Sequence, residues 1–329
     1  MVIIFERVLL RGRRNAIHEG TILLAETLMA VLLAVPVFAQ VTPTDEKVPC
    51  RNYKDVLALY DRLGYTQKAW QAGIREIPRV YLANVPDTWQ ERSAKELSVI
   101  DKKKLFFRFL APIVLRNNEL ILEDRTRAQQ LIERLDHDQS VTPDDRAWLS
   151  ELAVRYKVLE STSEPLNSNA FAELLMRVDI VPLSLALAQA ASESGWGTSR
   201  FAAQGNALFG QWTWGKGLKP TKQRTSEFGD QRIAAFASTS QAAYAYALNL
   251  NTEHAYRDLR LKRAELRRQS LRISGTILAE TLLHYSERGQ AYVDDLKALI
   301  RNNRLDDADD AYLRHMSVIH IVPAGPKPN

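Results

Sequence analysis

Apolar residues recur at three- and four-residue intervals along most of this chain, the spacing that lines one face of a helix. In residues 55–76, Val56, Leu57, Leu59, Tyr60 and Leu63 stand among charges at that spacing. Pro78 opens an extended stretch through Val80-Tyr81-Leu82, and Pro86-Asp87 reads as a turn. Residues 92–116 are predicted to form a long helix carrying Leu105, Phe106, Phe109, Leu110, Ile113 and Val114, and residues 118–136 continue it with Leu120, Ile121, Ala128 and Leu131 at core spacing. Thr142-Pro143-Asp144-Asp145 starts another helix: a hydroxyl to cap it, a proline at the first position and acids in the first turn. That helix carries Trp148, Leu149, Leu152, Ala153 and Tyr156.

A polar break at residues 161–169 precedes a short helix at 171–178 and a second one opened by Pro182. The period then shifts. Residues 209–214 alternate as a strand, Gly215, Gly217 and Pro220 make a loop, and residues 225–228 and 232–236 read as two further strands around a Gly229-Asp230 turn. Helices return at 241–251, capped by Ser238 or Ser240, and at 256–270, 274–285 and 292–304. Val318, Ile319, Ile321 and Val322 suit a short strand, and residues 323–329 are expected to be mobile. The pattern is mainly α, with one small antiparallel β lobe.

Composition narrows the picture. The 329 residues are 46% hydrophobic and 25% charged, enough for one large or two modest domains with real cores. A net charge of +5 suits an anionic partner such as a cell-wall polymer or a membrane surface, but it is no nucleic-acid signature. The densest basic run, 257–268, reads as a solvated helix face. Residues 28–38 form a short apolar run after Arg7, Arg11, Arg13 and Arg14, and Val37-Phe38-Ala39 fits a cleavage site before Gln40. Residues 1–39 therefore read as a secretory signal, too short in their apolar run to span a bilayer. Left uncleaved, this leader would hold the protein at the inner membrane. Export to the periplasm or cell envelope is the expectation. Cys50 is single, so it forms no internal disulfide.

Candidate chemistry centres on residues 181–214. From Leu183 to Ala191 every residue except Ser184 and Gln189 is apolar or small, so the helix is expected to be buried. Glu193 comes at its C-terminal end, and Gly195 supplies a left-handed stop. The partial negative charge of a helix C-terminus and partial burial both disfavour a carboxylate, so both raise its pKa. A carboxyl group that stays protonated near neutral pH is what a general acid requires. The six histidines fit no metal-ligand spacing, and phosphate loops and serine elbows are absent from the sequence, so neither metal nor cofactor is expected.

Residues Ala188 to Ser194, then Gly195-Trp196-Gly197-Thr198-Ser199 and Asn206-Ala207-Leu208-Phe209-Gly210, resemble the glucosaminidases of glycoside hydrolase family 73. Phe209-Gly210-Gln211-Trp212 is most similar to their Bax-type branch. The resemblance implies a lysozyme-like α+β catalytic domain preceded by a helical region. The polar break starts that domain at about 161, so it spans 161–305, and 306–329 are a tail. Residues 40–160 are linker and helical region, with the polar, proline-containing residues 40–54 read as the linker. The resemblance also implies hydrolysis of the β-1,4 bond after N-acetylglucosamine in the glycan strands of peptidoglycan.

Such a cleavage needs a proton donor and a group that stabilises or traps the oxocarbenium-like centre. Glu193 is the candidate donor. Glu227 is the preferred second carboxylate, since Asp230 beside Gly229 fits an ordinary turn. The N-acetyl group of the substrate can itself attack the anomeric carbon, in which case no second carboxylate is required. Tyr285 and Tyr292, in Tyr-Ser-Glu-Arg-Gly-Gln-Ala-Tyr, resemble a family segment near the active site; Tyr292 is the catalytic candidate. Asn206, Phe209, Gln211, Trp212 and Tyr285 are candidate substrate contacts, with Trp214 beside them; some of these aromatics must be lobe core, and Asn206 either holds its loop or reaches substrate. Trp196 is expected to pack the end of the Glu193 helix. A lytic transglycosylase of the same fold and a non-catalytic wall-binding module are the alternatives.

Overall fold

The computed structural model describes residues 45–86, 89–137, 139–220 and 231–324. The first element is strand β1 (Glu46–Cys50), followed by α1 (Tyr53–Arg62), α2 (Gln67–Gln71), β2 (Glu76–Ile77) and β3 (Val80–Leu82). A π-helical turn at Trp89–Ser93 runs into α3 (Ala94–Glu96), and then comes α4 (Val99–Asp136). α5 (Pro143–Arg155), α6 (Ser168–Arg177), α7 (Leu183–Ser194) and α8 (Arg200–Gly205) lead to a lobe of β4 (Trp212–Thr213), β5 (Gly217–Leu218) and β6 (Arg232–Ala234). The chain closes with α9 (Thr239–Thr252), α10 (Arg257–Arg268), α11 (Gly275–Ala279), α12 (Gln290–Asn302), β7 (Tyr312–Leu313) and β8 (Ile319–Pro323). The architecture is mainly helical, with small parallel and antiparallel sheets.

Helix α7 is the axis of the core. Its residues from Leu183 to Ala191 are all buried, and α4, α11 and α12 pack around it. Leu183, Leu185 and Leu187 each contribute about 1.5–3 kcal/mol by leaving water. The segment before residue 161 shares this core, because α4 packs along α7 and α9. At its C-terminus α7 stops at Gly195 with φ of 56°, the left-handed conformation expected there.

The N-terminus of α7 is stabilised from far along the chain. Pro182 offers no side-chain cap. Asp309 takes that part: its Oδ1 accepts from the Ser184 amide at 2.8 Å, and its Oδ2 accepts from the Ser184 hydroxyl at 2.8 Å. The same Oδ2 accepts from the Gly275 amide at 2.8 Å, so one carboxylate caps both α7 and α11. A Cβ on Gly275 would stand 2.0 Å from Ser184 Oγ, so only glycine lets the two helix starts meet. Asp309→Ala is expected to lower stability by about 2–3 kcal/mol, the loss of two caps at a buried position. Chemical denaturation measures it, and an unchanged midpoint would refute the double-cap role.

Several elements match the sequence pattern. Thr142 caps α5 by accepting from the Asp145 amide, and Asn167 and Ser238 cap α6 and α9. Residues 99–136 form one helix that contains Pro112, starting later than residue 92 because Ser98 caps it there. Other elements differ. Residues 40–54 were expected to be linker, yet β1 lies in that stretch and pairs in parallel with β8, Glu46 opposite Ile319. β8 also pairs in parallel with β3, so the C-terminal strand is the centre of a three-stranded sheet. In the lobe, β6 lies between β4 and β5, and β5 occupies the expected Gly217 loop. The expected strand at 209–214 shortens to β4, and the helix expected at 274–285 ends at Ala279. The leader 1–39, the strand at 225–228 with its Gly229-Asp230 turn, and residues 325–329 lie outside the described residues.

The basic run on α10 is not a solvated face. Arg260 and Arg263 are among the most deeply buried side chains. Arg263 donates to the carbonyls of Met176, Asp179 and Ile180, and Arg125 donates to those of Leu175 and Val178. Both close the C-terminus of α6 with positive charge. Asp179 balances them, accepting from Arg267 at 2.5 Å. Burial raises the Asp179 pKa, but Arg263, Arg267 and Arg125 outweigh it and hold the carboxyl below its usual range.

Candidate active site

The chain turns sharply after Glu193. Gly195, Trp196 and Gly197 all have positive φ, at 56°, 62° and 74°. The turn is held by the Ser194 hydroxyl, which donates to the Ala190 carbonyl at 2.6 Å and accepts from the Gly197 amide at 2.8 Å. Thr198 Oγ1 donates to the Gly195 carbonyl at 2.6 Å, and Ser199 then caps α8. A Cβ on Gly197 would lie 3.2 Å from both Phe106 and Trp89, so the loop sits tight on α4 and the turn before it. Trp196 packs edge-on against Phe106 and Phe107, and its carbonyl accepts from Trp89 Nε1 at 3.0 Å. The Ser-Gly-Trp-Gly-Thr-Ser run therefore builds a rigid turn that fixes the end of α7.

Glu193 projects from that end into a half-buried position ringed by aromatic hydroxyls. Tyr292, on α12, donates to Glu193 Oε1 at 2.9 Å. Gln189, one turn before Glu193 on α7, donates from Nε2 to the Tyr292 hydroxyl oxygen at 3.1 Å. Tyr246, on α9, donates to Gln189 Oε1 at 2.6 Å. With Gln189 as donor to it, the Tyr292 hydroxyl turns its own proton toward Glu193. Burial also keeps that hydroxyl protonated, and the neighbouring Glu193 adds to the effect.

Burial raises the Glu193 pKa, and the Tyr292 hydrogen bond and the Arg288 guanidinium oppose it only in part. Because Tyr292 donates to Oε1, the acid proton belongs on Oε2. Oε2 faces Gly210, where a Cβ would stand only 2.7 Å away. Gly210 also has φ of 62°, so glycine is favoured there twice over. The arrangement presents one protonatable oxygen beside bare backbone, which suits proton transfer to a leaving group.

Tyr292→Phe is expected to move the alkaline limb of the pH–rate profile to higher pH. The hydroxyl stabilises the carboxylate, so its loss raises the Glu193 pKa further, and an acid catalyst fails only as pH rises through that pKa. kcat at the optimum should fall about tenfold with the lost hydrogen bond. An alkaline limb that stays put or moves down would show that Tyr292 does not donate to Glu193 in the working enzyme.

The other sequence candidates have varied positions. Tyr285 stacks on Tyr292 with centroids 5.5 Å apart and donates to the Phe209 carbonyl at 2.9 Å, which ties the Gly210 turn to the tyrosine pair. Phe209 is core rather than a substrate surface: it is 1% exposed and stacks on Tyr246 at 4.0 Å. Gln211 Nε2 donates to the Ala245 carbonyl at 3.1 Å, while its buried Oε1 has no hydrogen-bond partner among the described residues. Trp212 and Trp214 stand on the lobe with exposed rings.

Asn206 holds its loop. It adopts φ of 50° at the end of α8, accepts from the Val85 amide at 2.9 Å, and donates to Asn84 and to the Phe236 carbonyl. Both amide hydrogens are engaged there, so its side chain does not serve as a substrate donor. Glu227 and Asp230 lie outside the described residues. Among the described residues no cluster of three His, Cys, Asp or Glu side chains is placed to hold a metal ion.

Gln189, Tyr246 and Gly210 were not among the sequence candidates. Gln189 did leave a signal, as one of two polar residues in the otherwise apolar stretch from Leu183 to Ala191; the other, Ser184, meets Asp309. Tyr246 left none, since a tyrosine at helical spacing reads as core.

Comparison with known proteins fits this geometry. The family model described as mannosyl-glycoprotein endo-beta-N-acetylglucosaminidase matches residues 168–305, which run from the start of α6 through α12. The chain is also similar to Protein bax of Escherichia coli (strain K12), with 34% identity over 230 residues, 66% of this chain and 78% of the relative. That alignment is longer than the family match, so the likeness extends beyond residues 168–305. No solved structure matches the chain. A half-buried carboxyl with a raised pKa beside Tyr292, inside a segment matched by this family and within a chain similar to Protein bax, leads to one conclusion: the protein belongs to the glucosaminidase family and is a glycoside hydrolase of the endo-beta-N-acetylglucosaminidase kind.

Proposed function

We propose that the protein is an exported peptidoglycan hydrolase that cleaves the β-1,4 bond after N-acetylglucosamine, with Glu193 as general acid in a lysozyme-like catalytic region. The observation that carries this reading is Glu193 itself, half-buried with a raised pKa and oriented by Tyr292 at 2.9 Å. The small antiparallel lobe that follows α7 supports the fold comparison, and the apolar run at 28–38 supports export. Net charge of +5 suits a wall polymer rich in carboxylates.

In the reaction, Oε2 of protonated Glu193 gives its proton to the glycosidic oxygen as the bond to the anomeric carbon breaks. The oxocarbenium-like centre is then trapped, either by the N-acetyl oxygen of the same sugar or with help from Glu227, and water completes a reducing N-acetylglucosamine end. Glu227→Gln separates the two routes: turnover persists in the first and collapses in the second. The hydroxyls of Tyr292 and Tyr285 stay protonated beside the site and hold its shape without exchanging protons.

The test is digestion of purified peptidoglycan by the wild type and by Glu193→Gln, with the new sugar ends identified by mass spectrometry. Reducing N-acetylglucosamine ends that vanish in the variant are expected. Anhydro-muramic ends would make the protein a lytic transglycosylase instead. Wall binding with no new ends from the wild type would point to a binding module.

A further inference from the structure

A cavity of about 990 Å³ opens between the α1–α2 hairpin, the first turns of α4 and the end of α12. Its floor is apolar, with Ile77, Leu183, Leu187 and Leu305. Aromatic walls come from Tyr65, Trp70 and Phe107. Four cations stand around it: Lys103, Lys104, Arg108 and Arg304. Among the described residues no carboxylate pairs with any of them, whereas the fifth cation, Arg75, pairs with Asp307 at 2.8 Å. Arg108 lies over the Tyr65 ring at 5.6 Å, and cations with no carboxylate beside them round an apolar floor favour an anionic ligand with an apolar body. Four side-chain amides, of Gln67, Gln71, Asn302 and Asn303, also line the cavity. Asn303 Nδ2 already donates to the Leu299 carbonyl at 2.8 Å, and the other three supply donors and acceptors for peptide groups, which an acyl chain would leave unmatched.

The cavity adjoins the Glu193 turn. Lys103 lies over the Trp196 ring at 4.7 Å, and Phe107 packs edge-on against that ring at 5.2 Å. Trp196 is three residues past Glu193, so the wall of this cavity is also the packing surface of the catalytic turn. Glu193 itself is not part of the lining, and the cavity is separate from the acid.

We propose that this cavity binds a carboxylate-bearing peptide attached to the glycan, with Lys103, Lys104, Arg108 and Arg304 holding its carboxylates and Trp70 and Phe107 its apolar side chains. The proposal rests on the peptidoglycan reading, whose stem peptides carry both kinds of group. It makes the helical region before residue 161 a specificity element, which prefers glycan strands that still bear their peptides.

The experiment uses glycan strands with intact stem peptides and strands stripped of them by an amidase. Lys104→Glu with Arg108→Glu is compared with the wild type, and Arg304→Glu is the second variant because its side chain is exposed and lies just after α12, outside α4. KM on peptide-bearing strands is expected to rise about tenfold in the double variant with kcat unchanged, the effect of 1.4 kcal/mol of lost binding. The difference should shrink at high salt. On stripped strands the variants and the wild type should match, which also shows that the folds are intact. Equal KM values for all proteins on peptide-bearing strands overturn the proposal.

If the wild type cuts neither strand, the catalytic reading fails separately. Calorimetric titration with a soluble disaccharide-peptide then decides the cavity alone. Saturable binding that is lost in the double variant, and absent with the bare disaccharide, supports it. Absence of binding to the wild type, or binding unchanged in the variant, overturns it.

Discussion

Glu193→Gln is expected to lower kcat by about 10²- to 10⁴-fold, the range that a positioned general acid contributes. KM should change little, because the amide keeps the shape of the side chain and still accepts from Tyr292 through its oxygen. A second property should move in the opposite direction. Burial raises the Glu193 pKa in the folded state. A group whose folded pKa is raised favours folding while it is protonated in both states, and that contribution is lost as pH rises from the unfolded value through the folded one. Above the unfolded-state pKa, burying this group therefore costs stability, and the neutral amide removes that cost. The variant should be inactive yet melt at or above the wild-type temperature at pH 7, with the gap closing at acid pH. Steady-state kinetics and calorimetry across pH check both halves. A variant that is inactive because it is less stable at neutral pH would sink the assignment.

Gly210→Ala is expected to cost about 10²-fold in kcat with most of the stability retained. A methyl group there would meet Glu193 Oε2 at 2.7 Å, and the carboxyl would have to turn away from Tyr292. A displacement of this size at the reacting oxygen is enough for about a hundredfold loss. The positive φ of 62° adds about 1 kcal/mol of backbone strain. Kinetics and a melting curve together separate the local effect from unfolding. Wild-type kcat in Gly210→Ala would show that Oε2 is not the donor atom.

Much of the helical body was legible because its signals are local. The caps at Thr142 and Ser238 and the stop at Gly195 each act within a few residues. So was the end of α7, where an apolar helix runs into a single carboxylate. What escaped depends on partners distant in the chain. β1 hides in a polar, proline-containing stretch because its pairing partner is β8, at the other end of the protein. The arginines of α10 look solvated until Asp179 and the carbonyls of α6 are brought against them. Sequence leaves open whether Phe209 and Asn206 meet substrate or serve the core and the loop, because a motif marks a place in the chain without telling which atoms face outward. Their neighbours decide: Tyr246 covers the phenyl ring, and Val85 and Phe236 engage the amide. Gln189 was visible only as an anomaly, and Tyr246 and Tyr292 had to be placed beside it before the anomaly acquired a purpose.

The parallel pairing of β1 with β8 also sets how the fold would respond to mechanical load. The two strands run the same way, with Glu46 beside Ile319 and Cys50 beside Pro323. Tension between whatever precedes residue 45 and whatever follows residue 324 acts along both strands in opposite senses. It would shear the whole five-residue register at once rather than unzip it bond by bond. With β3 on its other side, β8 is gripped along both edges. Tethered at its N-terminus and pulled through its C-terminus, the protein would have its strongest clasp in line with the force, leaving α7 and Glu193 unloaded until that clasp fails.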